Sequence, residues 1–208
     1  MKIPSLTTIW RLIFSQLILR WRLGSLGRRS IIYKPLMISG SRRIHLGDHT
    51  SIREFARLET LDRPDLGFAG TIRIGNRVNI EQGVHIVAHC DIQIDDQVSV
   101  APYCVILDVA HPADDPVAIK IGAMLTNHPT KVHIGAGTLL GAHCTILPNV
   151  TIGKGCIIGA NSVVNRDIPE YSIAAGAPAR VISSFDLEAR KWIREPKTNS
   201  KNHSGNSA

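Results

Sequence analysis

Between Ile134 and Val164 an aliphatic residue returns every six positions, at Ile134, Leu140, Ile146, Ile152, Ile158 and Val164. Glycine follows it at 135, 141, 153 and 159. A period of six matches neither the 3.6-residue repeat of an amphipathic helix nor the two-residue alternation of an exposed strand. It suits a solenoid of triangular section, with one hexad per side and three hexads per turn. Traced backward, the register recurs at Leu46, Ile52 and Leu58, and again at Ile74, Ile80, Ile86 and Ile92. It slips by two through residues 91–95 and continues at Ile94, Val100 and Ile106. Four residues after the anchors stand Val78, Val84, Cys90, Val98, Cys104, Thr138, Cys144, Val150, Cys156 and Ser162, all small or β-branched, as a tight interior corner requires. All four cysteines fall in this slot and none forms a CxxC pair, so they read as buried structural thiols.

The repeat also explains the composition. Of 208 residues, 44% are hydrophobic but only 5% aromatic, which fits layers of aliphatic side chains better than a core of large rings. The net charge of +7 is localised: residues 1–43 hold nine Lys or Arg and no Asp or Glu, while the rest of the chain has 15 basic and 17 acidic residues. Residues 5–23 lack Pro and Gly, and Ile9, Trp10, Ile13, Leu17 and Trp21 follow helical spacing beside Arg11, Gln16 and Arg22. This predicts an amphipathic helix that packs on its own domain or a neighbouring subunit, or else lies on an anionic membrane surface. Only eight uncharged residues separate Arg11 from Arg20, too few for the roughly 20 a transmembrane span needs. No secretory signal peptide is expected. Nucleic acid is not the expected partner, because this basic segment is an apolar helix rather than a charged groove.

The expected organisation is a basic leader over 1–43, a solenoid domain over 44–183, a short helix over 184–195 started by Ser184, and a disordered polar tail over 196–208. Two excursions interrupt the solenoid, at about 61–71 and 109–131.

Three stretches together carry a family resemblance: the anchor-Gly repeat, the loop opening LDVAHPADDP, and the exit IIGANSVVNRDIPEYSIAAGAPARVI. The chain resembles the hexapeptide-repeat acyltransferases over about 44–182. It is similar both to galactoside and maltose O-acetyltransferases and to bacterial polysaccharide and lipopolysaccharide O-acetyltransferases. The resemblance implies an all-β fold, a left-handed parallel β-helix, with the N-terminal helix and the short C-terminal helix appended. It further implies homotrimers with sites between subunits, acetyl-CoA as donor, a sugar or glycan acceptor, and no metal. A cytoplasmic protein is expected, with peripheral contact to the inner membrane face as the open alternative for residues 5–23.

Acetyl transfer to a hydroxyl needs a base, and imidazole suits that role near neutral pH. His111 stands where the repeat breaks into the second excursion, and it matches the family's catalytic histidine. Asp108, three residues earlier, is expected either to orient the imidazole or to serve as a loop acid or turn cap. Glu81 occupies a position where the sugar acetyltransferases usually carry Asn, so it is a candidate acceptor contact, and His85 lies near the same edge. For coenzyme A, the resemblance implicates Ala142, Ala160, Asn165, Arg166 and Arg180, with small residues admitting the pantetheine arm and arginines meeting phosphate.

Other acceptors remain open, including a soluble sugar, a nucleotide-linked amino sugar, or another small alcohol or amine. Two further readings on the same coil are a zinc enzyme of the γ-carbonic-anhydrase type, for which His128 and His133 are the available ligands, and a non-catalytic scaffold.

Overall fold

A computed structural model describes residues 6–111 and 125–196. The chain winds as a parallel β-helix with three faces. The first face stacks Ser25–Leu26, Ile44–Leu46, Thr71–Ile74, Asp91–Ile94, Lys131–Ile134 and Val150–Ile152. The second stacks Ile31–Ile32, Ser51–Ile52, Asn79–Ile80, Ser99–Val100, Leu139–Leu140 and Ile157–Ile158. The third stacks Met37–Ser39, Arg57–Thr60, His85–Ala88, Val105–Leu107, Thr145–Ile146 and Val163–Val164. Each strand pairs in parallel with the strand one coil above and below, so equivalent residues superpose: Ile72, Ile92, Val132 and Val150 form one column, and Ile86, Ile106, Ile146 and Val164 another.

All of these column residues are buried. At the two-residue slip in the sequence register, the first face turns in two anchors per strand: Ile72 with Ile74, Ile92 with Ile94, and Val132 with Ile134. The slip is therefore a face with two inward residues rather than a break in the coil.

The corners between faces hold a second constraint. Their third residue sits in the left-handed region at Arg77, Gly83, Gln97, Tyr103, Gly137, His143, Asn149, Gly155 and Asn161. This conformation turns its N–H onto the corner carbonyl of the preceding coil, as from Tyr103 to Gln82, His143 to Pro102 and Asn161 to Ala142. Six of these nine residues are not glycine, so the stacked hydrogen bonds outweigh the αL cost.

Cys104, Cys144 and Cys156 are buried in the inner corner slot, with Sγ donating to the carbonyls of Gly141, Gly159 and Pro169 at 3.1, 3.2 and 3.0 Å. The Cys104 thiol is pushed up by its hydrogen bond with Cys144 and by burial, and burial also raises Cys156. Cys90 differs from the sequence expectation in being only partly buried.

The structure corrects two boundaries. The solenoid starts at Ser25, not at residue 44, because Leu26, Ile32, Ile38 and Ile44 already keep the six-residue spacing and pair with the coil above. The expected helix over 184–195 is instead an antiparallel ribbon. Ala179–Asp186 pairs with Ser172–Gly176 on one side and Lys191–Arg194 on the other. Phe185 and Trp192 meet edge to face across it at 5.2 Å. Ser184 caps nothing; its hydroxyl bonds Glu195, while the Asp186 carboxylate accepts the Glu188 and Ala189 N–H groups and forms the turn. Strand pairing outweighs the helical propensity of FDLEARKWIR. The polar tail beyond Pro196 lies outside the described residues.

The N-terminal helix is present as Leu6–Phe14, a π-helical turn Ser15–Leu19, and Arg20–Arg22. Leu19 and Leu23 close the end of the aliphatic core over the first coil.

Truncating a central column residue should be costly. Ile106→Ala is expected to lower unfolding free energy by about 2–5 kcal/mol. Leu187→Ala, in the exposed ribbon turn, should stay within about 0.5 kcal/mol. Chemical denaturation at fixed protein concentration measures both.

Candidate active site

Both excursions leave from the same corner, between the third and first faces. The first is a small hairpin, Asp62–Arg63 with Phe68–Ala69, held by the Arg63–Asp65 pair and tied to the coil by Arg43 with Asp62 at 2.6 Å. The second departs after Leu107 and returns at Lys131. Between them lies the short turn His89–Cys90 of the intervening coil. This edge therefore carries two projecting loops, two coils apart.

Asp108 is completely buried at the root of the second loop. Its carboxylate accepts the backbone N–H of His89, of Cys90 at 2.8 Å and of Asp91 at 2.7 Å, and faces the Thr130 hydroxyl at 3.4 Å. One side chain thus joins the start of the loop, its return and the corner beneath. A further rung runs from the Thr126 N–H to the Ala110 carbonyl at 2.9 Å. Of the two expectations for Asp108, the turn cap is the one these contacts fit. Its oxygens are taken by backbone donors, because a buried carboxylate must be compensated and this turn supplies the compensation. Asp108 fixes where the loop begins, and His111 is exposed three residues beyond it, at the loop root.

His89 is a site element that the repeat pattern did not single out. It is fully buried beneath the hairpin, edge-on to Phe68 at 5.5 Å, and neither ring nitrogen has a hydrogen-bond partner among the described residues. Burial holds its pKa below the ordinary imidazole value, with the Asp108 carboxylate opposing and the Arg63 cation reinforcing.

The opposite corner, between the second and third faces, carries a different set. Coil by coil, Gln82, Pro102, Ala142 and Ala160 stack, flanked by the column of Glu81, Ala101, Gly141 and Gly159. The coils approach so closely here that a Cβ at Gly141 would lie 2.5 Å from the Ala160 nitrogen. Tyr103 and His143 stack at 5.2 Å in the neighbouring column, and Tyr103 leaves no room for a side chain at Gly83. His85 lies on the third face between the two corners, in register with Arg57 and Val105.

The proposed site residues therefore divide. Glu81, Ala142 and Ala160 share the second-to-third edge. His111, Asn165 and Arg166 share the third-to-first edge, with Arg166 two coils, about 10 Å, beyond the loop root. Arg180 is exposed on the terminal ribbon. A single chain does not bring the two edges together. His128 is exposed, and His133 bonds Asp95 at 2.9 Å on the first face. No group of three metal-type side chains gathers among the described residues.

Comparison with known proteins places this geometry. The family model for bacterial transferase hexapeptide (six repeats) matches residues 131–166. An Escherichia coli protein carrying the name lipopolysaccharide biosynthesis O-acetyl transferase WbbJ is 30% identical over 167 residues, covering 78% of this chain and 82% of that protein. The chain belongs to the hexapeptide-repeat transferases. A Mycobacterium tuberculosis relative named as an acetyltransferase is 35% identical over 147 residues; the match covers 70% of this chain but only 44% of that longer protein. Among solved structures, a maltose O-acetyltransferase from Clostridium difficile aligns with TM-score 0.54 and 27% identity, covering 82% of this chain and 74% of that one. A mutant of the Bacillus cereus N-acyltransferase AntD, in complex with dTDP and coenzyme A, aligns with TM-score 0.67 at 20% identity over 84% of this chain and 90% of that one, a likeness of fold. The three-faced coil is thus the left-handed parallel β-helix of this family.

Two measurements test the loop root. Asp108→Ala leaves three buried N–H groups without an acceptor and should cost about 3 kcal/mol or more, whereas His111→Ala should leave the melting temperature near the parent's. For His89 the sign is set by its depressed pKa. Below pH of about 6.5 an unfolded imidazole takes a proton that the buried ring resists, so its contribution is complete above that pH and is lost as pH falls toward the folded pKa. The stability difference between parent and His89→Leu should therefore shrink or reverse as pH falls from 7 to 5, as followed by denaturant titration at each pH.

Proposed function

We propose that this protein is an acetyl-CoA-dependent O-acetyltransferase that modifies a sugar hydroxyl of a bacterial cell-surface polysaccharide or its lipid-linked precursor, working on the cytoplasmic side. The observation that carries the reading is the loop root. A fully buried carboxylate fastens both ends of a long excursion and holds an exposed histidine beside it, on the edge that also carries Asn165 and Arg166. The names of the Escherichia coli relative and of the maltose O-acetyltransferase support the sugar hydroxyl as acceptor.

In this reading the His111 imidazole takes the acceptor proton as the oxygen attacks the thioester carbon. The tetrahedral intermediate collapses and expels the coenzyme A thiolate, which recovers that proton from the imidazolium. The products are the acetyl ester and free coenzyme A, with no acyl-enzyme. Arg166 and Arg180 meet the donor's phosphates, and the small residues Ala142 and Ala160 leave the backbone open to the pantetheine arm.

The division of residues between two edges implies a site shared by neighbouring subunits of a homotrimer. The third-to-first edge of one protomer supplies His111 and Arg166, and the second-to-third edge of its neighbour supplies Glu81, Ala142 and Ala160.

Thiol release from acetyl-CoA with free, nucleotide-linked and lipid-linked sugars tests the reading. Activity should be greatest with a glycan hydroxyl, and His111→Ala should lower kcat by about 10²–10⁴-fold. Arg166→Ala should instead raise KM for acetyl-CoA by about tenfold. Co-refolding inactive His111→Ala with an inactive Ala142→Trp variant should restore roughly a quarter of parental activity, because random mixing gives some interfaces two intact edges. No recovery would place both edges of the site in one protomer.

A further inference from the structure

The outward face of the N-terminal helix is inverted relative to an ordinary surface helix. Its inner side is fastened to the first coil. The buried Ser15 hydroxyl accepts the Ile32 N–H at 3.0 Å and donates to the Ile32 carbonyl at 3.3 Å. The Gln16 amide donates to the carbonyls of Gly27 at 3.1 Å and Ser30 at 2.9 Å. Leu19 and Leu23 enter the core. With rotation fixed by these contacts, the outer arc presents Leu6, Trp10, Ile13, Leu17 and Trp21, the two indoles being 71% and 76% exposed. Arg20 is the charged residue within that arc. Soluble surfaces rarely leave such a contiguous apolar strip uncovered.

We propose that this face is a docking surface for an anionic lipid bilayer, in which the helix lies in the plane of the interface. The charge pattern selects that occupant. Residues 1–43 contain nine cations and no acid. Asp48, the first carboxylate in the sequence, is already engaged by Arg28 at 2.9 Å, and Glu54, which lines a pocket with Thr7, Thr8 and Arg11, is engaged by Arg53 at 3.2 Å. Arg20, Arg22 and Arg29 are exposed and form no ion pair among the described residues. A second copy docked face to face on this helix would bring like charges together, whereas lipid phosphates complement them and acyl chains take the indoles. No described helix is long and apolar enough to cross a membrane, and the arrangement asks only for peripheral contact. The coil carrying the His111 loop root is three coils along the axis from the coil on which the helix packs, roughly 15 Å, so docking leaves that edge clear of the bilayer.

The test uses the full chain with phosphatidylcholine vesicles, with and without about 30 mol% phosphatidylglycerol. The protein should sediment with the anionic vesicles, and binding should weaken as salt rises. Trp10→Ser with Trp21→Ser should weaken binding at least tenfold. Arg20→Gln with Arg22→Gln should weaken it on anionic vesicles and leave the neutral ones unchanged. In a Trp192→Phe background, indole emission should shift to the blue on adding anionic vesicles. Circular dichroism and the unfolding midpoint should match the parent, since the substituted side chains are exposed. Equal sedimentation of parent and tryptophan variant would overturn the proposal. So would a change in the oligomeric mass of that variant by light scattering, which would make the face a subunit contact.

Discussion

Backbone hydrogen bonds that run along the coil axis govern everything else in this protein. Each strand on the three faces of the first six coils is only two to four residues long, too short to be stable on its own, and gains its partners from the coils above and below. Those bonds fix the register completely, so equivalent residues must superpose from coil to coil. Superposition in turn favours corners that close in four residues, many with a left-handed residue at the third position. The chain accepts tyrosine, histidine and arginine in that conformation because an unmet corner N–H is the larger cost.

Such a frame has little freedom on its faces and much at its corners. An insertion within a strand would displace a buried column, whereas one at a corner leaves both neighbours paired. The hairpin and the long loop both use the corner between the third and first faces. The long loop needs more, since closing an excursion of over 20 residues costs chain entropy. Asp108 fastens its root. Its buried carboxylate collects three amides from the turn below and reaches the threonine at which the loop returns. His111 gains a defined starting point without any direct contact from this acid being required.

The parts legible in the sequence were those set by stacking. The aliphatic columns, the corner slot of the cysteines and the two points of departure all follow from a six-residue ruler. The first coil was missed although Leu26, Ile32, Ile38 and Ile44 keep the spacing, because the arginines around them suggested a separate leader. The terminal ribbon was missed for a different reason: the locally helical stretch from Phe185 to Arg194 is overridden by pairing with Ser172–Gly176, a partner outside its own window. For Asp108 the sequence offered the turn cap only as one of two alternatives, because its partners are backbone groups 17 to 19 residues earlier, which carry no side-chain signature.

The same geometry explains why the candidate site is divided. A triangular coil presents three edges, and two residues on different edges of one chain are separated by the width of a face. Glu81 and Ala142 on one edge, and His111 and Arg166 on another, flank the third face from opposite sides. That face carries outward pairs such as Arg57 and Glu59 along it. In the proposed reading, placing donor and base residues on opposite edges makes assembly a condition of chemistry, since a single chain does not bring the two edges together. The rigidity that makes the solenoid so regular is also what places its candidate site residues outward, at corners and loop roots.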